Sequence, residues 1–334
     1  MKLPAVRVPR LPPIGPGSGA IGPFGDWVGH HSRVAVDGYF WRFTDRASGR
    51  TALALLGVNR GRDGREWGTV ALATGPDRVV RSAVAGEAMA TARGLDIRAW
   101  EGGHTLLRGT EDAVEVDLGP DAQLHVRFRD AVRWPADAMW GGVGPAHAVP
   151  GLSQYWHPHL LTARVEGEVR LGDGPAWTLR DAVAYGEKNW GAGGFPPAWW
   201  WGQAHGFADP GTLVCFAGGR AGVGPLRTTA TSLVVRLPGG DLGRFVRPLQ
   251  WVSIDHGERS LRLRARTPGW RVDVEVETEG PAHDLPVPVP LERRNEDTAH
   301  QHQSARFSVV VRRGSRVVLR DESTLGAFER GTSG

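Results

Sequence analysis

The chain has 334 residues, of which 40% are apolar and 23% are charged, and it contains a single cysteine. This composition is typical of a soluble globular protein and excludes disordered, collagen-like and disulfide-stapled chains. Forty basic residues stand against 36 acidic ones without a long basic run. The small positive charge therefore does not indicate a nucleic-acid partner.

The first 24 residues are rich in proline and glycine and form a predicted N-terminal arm. Prolines interrupt this arm before the apolar core of a signal peptide is complete, and no later stretch has the apolar length of a membrane helix. We therefore expect a cytoplasmic protein. Peripheral contact with a membrane surface, through exposed tryptophans or the apolar mouth of a barrel, stays open.

The rest of the chain alternates apolar and polar residues between turns. Its 47 glycines and 24 prolines separate segments that have the two-residue period of β-strands. The clearest segments are residues 33–43, 51–58, 68–74, 113–118, 123–129, 161–171, 231–237, 260–266, 270–278, 305–312 and 316–324.

Each of these segments has one apolar and one polar face. In the segment 270–278, for example, Val272, Val274 and Val276 alternate with charged residues. One solvent-exposed face predicts antiparallel strands. Such strands close most economically into barrels or sandwiches, and closure also removes exposed edges. The sequence therefore predicts an all-β fold with two β domains of similar size, spanning residues 25–160 and 161–330.

The most unusual segment, residues 184–207, places ionisable groups, glycines and tryptophans side by side. Glu187 and Lys188 are adjacent there, and Lys188 is the only lysine apart from Lys2. Burial among tryptophans would raise the pKa of the carboxyl group and lower the pKa of the amine, so either group would become an acid near neutral pH. A structural ion pair between the two side chains is the alternative interpretation.

Secondary structure within this segment is expected to change at its glycines. Residues 191, 193 and 194 are glycines, which predict an irregular loop over residues 184–196. The three tryptophans then begin a strand, which places Trp199, Trp201, Gln203 and His205 on one face.

Two further runs are candidates for the walls of a binding site. The run 155–159 contains His157 and His159, which a strand would place on one face. We favour lining residues over metal ligands there, because no third ligand follows at a recognised spacing. The run 37–43 begins with an acid and a glycine and continues as an aromatic strand, for which an ordinary barrel strand is the alternative interpretation.

These motifs resemble those of the tocopherol cyclase family. The specific match is YGEKNWG at 185–191, followed by GFP at 194–196 and WWWGQ at 199–203. The runs PGLSQYWHP at 150–158, DES at 321–323 and DGYFWRF at 37–43 support it, although the family has glutamate at the position of Asp37. The resemblance extends from about residue 25 to residue 330.

The resemblance implies two tandem lipocalin-like antiparallel β-barrels and a cavity for an apolar, prenylated small molecule. Members of this family close the chromanol ring of tocopherols from a prenylated hydroquinone, without redox change and without a cofactor. An acid protonates the alkene nearest the ring, and the neighbouring phenol oxygen captures the tertiary cation. Aromatic rings stabilise such a cation, and a dry cavity protects it from water.

The same resemblance assigns roles to residues of this sequence. It makes Glu187 the proton donor or its partner, and Lys188 the group that sets its charge. Asn189 or Gln203 would hold the phenol. The residues that it places around the substrate are Trp190, Trp199, Trp201, Gln203, Tyr155, Trp156, His157, Asp37 and Trp41. No metal ligand is among these residues.

Other acids and other functions stay open. Tyr185 is a competing proton donor, and so is His205, because histidine titrates near neutral pH. The two-barrel architecture also resembles that of hydratases and Diels–Alder-type cyclases that act on isoprenoids or polyenes. A carrier that binds a lipid or quinone without turnover is a third hypothesis, although a carrier would gain little from a desolvated acid in its lining.

Overall fold

The structure is a computed structural model that describes residues 34–90, 94–136, 138, 140–148, 152, 154–191, 195–223 and 226–332. The predicted N-terminal arm, residues 1–24, lies outside the described residues. Strands account for most of the described chain, and its helical residues form only two short 3-10 turns, Gly144–Ala148 and Pro290–Glu292. None of its helices is long and apolar enough to cross a membrane.

The strands, in chain order, are β1 (Val36–Asp45), β2 (Arg50–Arg60), β3 (Glu66–Gly75), β4 (Val79–Ala85), β5 (Glu87–Ala90), β6 (Asp96–Glu101), β7 (His104–Thr110), β8 (Ala113–Asp117), β9 (Ala122–Arg133), β10 (Tyr155–Leu171), β11 (Trp177–Gly191), β12 (Trp199–Ala204), β13 (Leu213–Val223), β14 (Leu226–Arg236), β15 (Leu242–Arg247), β16 (Trp251–His256), β17 (Ser260–Arg266), β18 (Trp270–Glu277), β19 (His283–Val289), β20 (Arg294–Arg313) and β21 (Arg316–Gly331).

The first barrel is an antiparallel sheet of eleven described strands in the order β4-β3-β2-β1-β11-β10-β9-β8-β7-β6-β5. Its two edge strands are consecutive in the chain, so the sheet curls back on itself. Gly68 of β3 lies at this corner, where a Cβ atom would be 3.0 Å from the Cβ of Ala85 and 3.1 Å from that of Ala99. The apolar faces of these strands fill the interior around Trp41 and Phe43.

The second barrel is an antiparallel sheet of ten described strands. Its main path is β15-β14-β13-β12-β21-β20-β18-β17-β16, and β19 pairs with β20 off this path. Phe216, Phe307 and Val274 belong to its fully buried core. The prediction of an all-β fold with two tandem antiparallel barrels is confirmed.

The boundary between the barrels does not fall at residue 160, where it was predicted. Strands β10 and β11 pair with β9 and β1 of the first barrel, so the change of sheet falls between Gly191 and Trp199. The loop predicted over residues 184–196 is likewise replaced by β11 as far as Gly191. Residues 192–194 lie outside the described part of the chain.

A buried arginine connects the two barrels. Arg42 of β1 donates from Nη1 to the side-chain oxygens of Gln203 of β12 at 3.1 Å and Thr44 at 2.9 Å. Its Nη2 donates to the backbone carbonyl of Gln303 of β20 at 2.8 Å. These partners are neutral, and burial lowers the pKa of Arg42 to about 9. A guanidinium group can satisfy acceptors on both barrels at once because its donors form a rigid planar fork.

Candidate active site

A cavity of about 750 Å³ lies between the two barrels. Both sheets contribute to its wall, and its lining is mostly apolar. Concave apolar sites with a few convergent polar groups are the usual form of small-molecule binding sites. The polar or aromatic residues that line it include Phe40, Tyr155, Trp156, Glu187, Asn189, Trp199, Trp201, Gln301 and Glu329.

Strand β11 divides the predicted motif between two environments. Successive side chains of a strand point to opposite faces, so Glu187 and Asn189 line the cavity. Lys188 instead points into the first barrel, where it contacts the rings of Tyr39 and Trp190. The adjacent residues Glu187 and Lys188 therefore serve different sites.

The carboxyl group of Glu187 is held by three donors on a single oxygen. Its Oε2 accepts hydrogen bonds from the hydroxyl of Tyr185 at 2.6 Å, from the indole N–H of Trp156 at 2.8 Å and from that of Trp201 at 2.7 Å. No described residue donates a hydrogen bond to Oε1. Because the lone pairs of Oε2 are occupied, a proton on this carboxyl group sits on Oε1.

Burial raises the pKa of Glu187 from its ordinary 4.5 to about 7. The three hydrogen bonds stabilise the carboxylate and oppose this rise, whereas the charge of Glu329 adds to it. Desolvation prevails because the side chain is almost completely buried, with 3% of its surface exposed. The group therefore holds its proton at neutral pH in a substantial fraction of molecules, as a general acid requires.

Strand β12 places alternate tryptophans in two different apolar clusters. Trp199 and Trp201 pack in the cluster between the barrels, and Trp200 packs in the core of the second barrel, which confirms the predicted division of faces. Trp199 lies across its pairing partner Gly331, where a Cβ atom would be only 1.8 Å from the indole ring. Glycine at this position lets the indole lie flat over the neighbouring strand.

A second carboxyl group, that of the partly buried Glu329 of β21, faces the same cavity. Its Oε1 accepts a hydrogen bond from the indole N–H of Trp199 at 2.7 Å, and its Oε2 accepts one from Nε2 of Gln301 at 2.8 Å. Burial raises its pKa, and the two hydrogen bonds oppose the rise. The sequence analysis missed both Glu329 and Gln301.

Comparison with known proteins places the chain in a family. A family model described as tocopherol cyclase-like matches residues 146–332, which is more than half of the chain. The chain belongs to the tocopherol cyclase-like family. This confirms the resemblance drawn from the motifs.

Solved structures show the same fold at low sequence identity. The structure of CghA with Sch210972 is similar with a TM-score of 0.59 and 12% identity, covering 96% of this chain and 93% of that one. Kievitone hydratase from Nectria haematococca is similar with a TM-score of 0.55 and 12% identity, covering 96% and 94% of the two chains. At this identity the likeness concerns the fold alone.

Lys188 does not pair with Glu187 in this tocopherol cyclase-like protein, so the predicted ion pair and the predicted influence on the charge of Glu187 are both wrong. Its Nζ lies 2.9 Å from Oδ1 of Asp37. Both residues are buried inside the first barrel, and neither lines the cavity. The pleat of β11 is the reason, because neighbouring side chains cannot share a face.

His205 and Gln203, which were assigned to the reaction and to substrate binding, do not line the cavity. Nδ1 of His205 accepts from Nε2 of Gln203 at 3.1 Å, and Nε2 of His205 donates to the carbonyl of Leu161 at 3.1 Å. Burial lowers the pKa of His205 to about 3, so it is neutral at pH 7. Both residues belong to the contact with Arg42 that joins the barrels.

Three other predicted substrate contacts, Trp190, His157 and Trp41, do not line the cavity. Trp190 stacks on Tyr155 with ring centroids 5.3 Å apart, His157 packs against Trp134, and Trp41 is fully buried. Tyr155, by contrast, does line the cavity. Strand β10 turns Tyr155 and His157 inward, on the face opposite that of Trp156.

Tyr185 and Asn189 support the cavity in different ways. Tyr185 is fully buried and reaches the site only through its hydrogen bond to Glu187. Asn189 lines the cavity, and its Oδ1 accepts a hydrogen bond from Nε2 of Gln154 at 3.2 Å. Its amide group is therefore the polar group of β11 best placed to contact a substrate hydroxyl. Across the described residues, no group of three potential metal ligands is assembled.

The raised pKa of Glu187 predicts a pH-dependent cost in stability. Because its folded pKa of about 7 lies above the ordinary 4.5, the unfolded chain releases this proton first as the pH rises. Relative to Glu187→Gln, the wild type should lose up to about 3 kcal/mol of unfolding free energy between pH 4.5 and pH 7. Chemical denaturation of both proteins at pH 5 and pH 8 measures this difference.

Comparing the two proteins at each pH cancels the contribution of the histidines, which is common to both. Glu166→Gln, at an exposed position of β10, is the matched control and should show no such trend. A stability difference between wild type and Glu187→Gln that stays constant from pH 5 to pH 8 would contradict the raised pKa.

Proposed function

We propose that this protein is a cyclase that closes a chromanol ring on a prenylated hydroquinone by proton-initiated, redox-neutral cyclisation. The observation that carries this proposal is the carboxyl group of Glu187, whose pKa burial raises to about 7 at the wall of an apolar cavity. Membership of the tocopherol cyclase-like family supports the same chemistry.

The first step of this reaction is the transfer of the Glu187 proton to the alkene. With Oε2 occupied by three donors, the acid proton on Oε1 is the one available to a substrate. The alkene π electrons form the new C–H bond, and the remaining carbon becomes a tertiary cation. The carboxylate that is left behind is stabilised by the same three hydrogen bonds, which favours the transfer.

Aromatic side chains surround the acid and suit a cationic intermediate. Trp156 and Trp201 both donate to Glu187 and line the cavity. Phe40 stands edge-on to Trp201 with ring centroids 5.0 Å apart. The faces of such rings attract a cation, and their bulk keeps water from capturing it before the phenol oxygen does.

The cavity volume and its lining favour an apolar substrate with a polar head. About 750 Å³ lies within the usual range for small-molecule sites. Glu187, Asn189 and Glu329 offer polar groups to the cavity, whereas residues such as Leu55, Val246 and Leu285 form apolar wall. A hydroquinone ring would occupy the polar region, and its prenyl chain would follow the apolar wall.

Anaerobic incubation of the purified protein with a phytyl-substituted dimethylhydroquinone tests the proposal. We expect a product of unchanged mass and single handedness, identified by mass spectrometry and chiral chromatography as the chromanol. A product heavier by one water would instead indicate a hydratase. Tight binding of the hydroquinone without turnover would contradict the cyclase and favour a carrier.

A further inference from the structure

Ring closure releases one proton for each proton that it consumes. The alkene gains a proton from an acid, and the phenol loses its own when its oxygen captures the cation. We propose that Glu329 is the base that accepts this phenol proton. This inference rests on the proposed cyclase function and assigns a separate group to its second half.

The surroundings of Glu329 suit a carboxylate that receives a proton. Each of its oxygens accepts one hydrogen bond, from Trp199 and from Gln301, and each keeps a further lone pair. The amide oxygen of Gln301 accepts a hydrogen bond from the amide of Gln303, which turns the NH₂ group of Gln301 toward Glu329. The carboxyl group therefore meets donors rather than acceptors.

Strand β12 contacts both carboxyl groups through its tryptophans. Trp201 donates to Glu187, and Trp199 donates to Glu329. These tryptophans are two residues apart on one face of the strand, a distance of about 7 Å along the backbone. A substrate between the two carboxyl groups can present its alkene to one of them and its hydroxyl to the other.

The charges of the two groups favour opposite protonation states. The charge of Glu329 is one of the causes that raise the pKa of Glu187, so an ionised Glu329 keeps the acid protonated. His300, beside Asp284 at the surface, counteracts the rise in the pKa of Glu329. A protonated Glu187 facing an ionised Glu329 is the arrangement that the acid and base roles require.

The step is balanced without any other reactant. A lone pair of the phenol oxygen forms the new C–O bond, the O–H bond breaks, and its electron pair stays on oxygen. The proton passes to Glu329, while Glu187 has given its proton to carbon. Exchange with water after product release returns the pair to its starting protonation, and nothing is oxidised or reduced.

Binding measurements test this role without relying on turnover. The probes are the phytyl-substituted dimethylhydroquinone and its methyl ether, in which the hydroxyl beside the prenyl chain is blocked. A hydrogen bond to a carboxylate favours the free hydroxyl by about 10-fold or more. We expect this preference in the wild type, in Glu187→Gln and in Glu322→Gln, whose glutamate is exposed on the same strand. The preference for the free hydroxyl over the methyl ether should fall at least 5-fold in Glu329→Gln.

Turnover and a conservative variant complete the test. Glu329→Gln should lower kcat about 10²- to 10⁴-fold, Glu329→Asp should recover part of the hydroxyl preference, and Glu322→Gln should match the wild type. An unchanged hydroxyl preference in a folded Glu329→Gln protein would overturn the assignment. Thermal unfolding establishes that each variant is folded.

The outcomes separate this inference from the proposed function. If Glu329→Gln keeps both preference and rate while Glu187→Gln loses activity, the cyclase stands and the base is wrong. If the wild type forms no chromanol but prefers the free hydroxyl, and Glu329→Gln loses that preference, the cyclase is wrong while the contact with Glu329 stands. If the wild type binds neither probe, both proposals are contradicted.

Discussion

Glu187→Gln should lower kcat for chromanol formation by about 10³-fold or more, within the range expected for removal of a general acid. Glutamine has nearly the same shape as glutamate, and its amide oxygen can still accept the hydrogen bonds from Trp156 and Trp201. It has no acidic proton to give to an alkene. The loss should therefore appear in kcat, with little change in substrate affinity, when single-turnover rates and binding are measured separately.

Tyr185→Phe is the informative control, because Tyr185 is the competing donor. Its hydroxyl stabilises the carboxylate form of Glu187 and lowers that pKa, so its removal should move the alkaline fall in activity to higher pH. In the wild type, activity should fall as the pH rises through about 7, because only protonated Glu187 can act. An active Glu187→Gln together with an inactive Tyr185→Phe would assign the proton to Tyr185 instead.

Asp37→Asn should lower the free energy of unfolding by about 3 kcal/mol, the lower end of the range for breaking a buried ion pair. Lys188 is fully buried and its Nζ lies 2.9 Å from Asp37. Burial lowers the pKa of Lys188, and the charge and hydrogen bond of Asp37 oppose that effect. The rings of Tyr39 and Trp190, about 5 Å from Nζ, replace only part of this carboxylate.

Denaturant unfolding followed by circular dichroism measures this loss. Asp255→Asn, which disturbs the exposed pair with Arg264, is the matched control and should change stability by no more than about 0.5 kcal/mol. The double variant Asp37→Asn/Lys188→Met should recover much of the stability, because it removes the buried cation. Equal stabilities of Asp37→Asn and Asp255→Asn would contradict a structural role for the buried pair.

The strands could be predicted from the sequence wherever one face of the strand is exposed to solvent. The segments 260–266 and 270–278 alternate clearly, and they correspond to β17 and β18. Prediction failed in the middle of the chain, where parts of β10 and β11 are buried on both faces and alternation disappears. Residues 155–163 of β10 and 182–188 of β11 are buried throughout, and for this reason the barrel boundary was placed too early and β11 was mistaken for a loop.

The candidate site was predictable to the extent that it lies in one unusual segment. Glu187, Trp199 and Trp201 stood out by composition, and they meet at one wall of the cavity. Lys188 and His205 stood out for the same reason. Their separation from the cavity depends on which face of β11 each residue occupies and on how the barrels dock, and the motif contains neither kind of information.

Glu329 was missed because its strand was predicted to end at residue 324. The alternation continues to Gly331, and β21 extends that far. A carboxyl group between Phe328 and Arg330 resembles a surface residue, because charges in most strands point to water. Only the pairing of β21 with β12, which places Glu329 opposite Trp201, shows that this face is interior.

The buried guanidinium of Arg42 makes the two halves of the molecule thermodynamically interdependent. Its acceptors belong to Thr44 in its own barrel and to Gln203 and Gln303 in the other. Unfolding either half removes partners from groups that stay buried in the remaining half, which costs free energy there as well. The two barrels should therefore melt in a single cooperative transition, and neither half is expected to persist as an independently stable fragment.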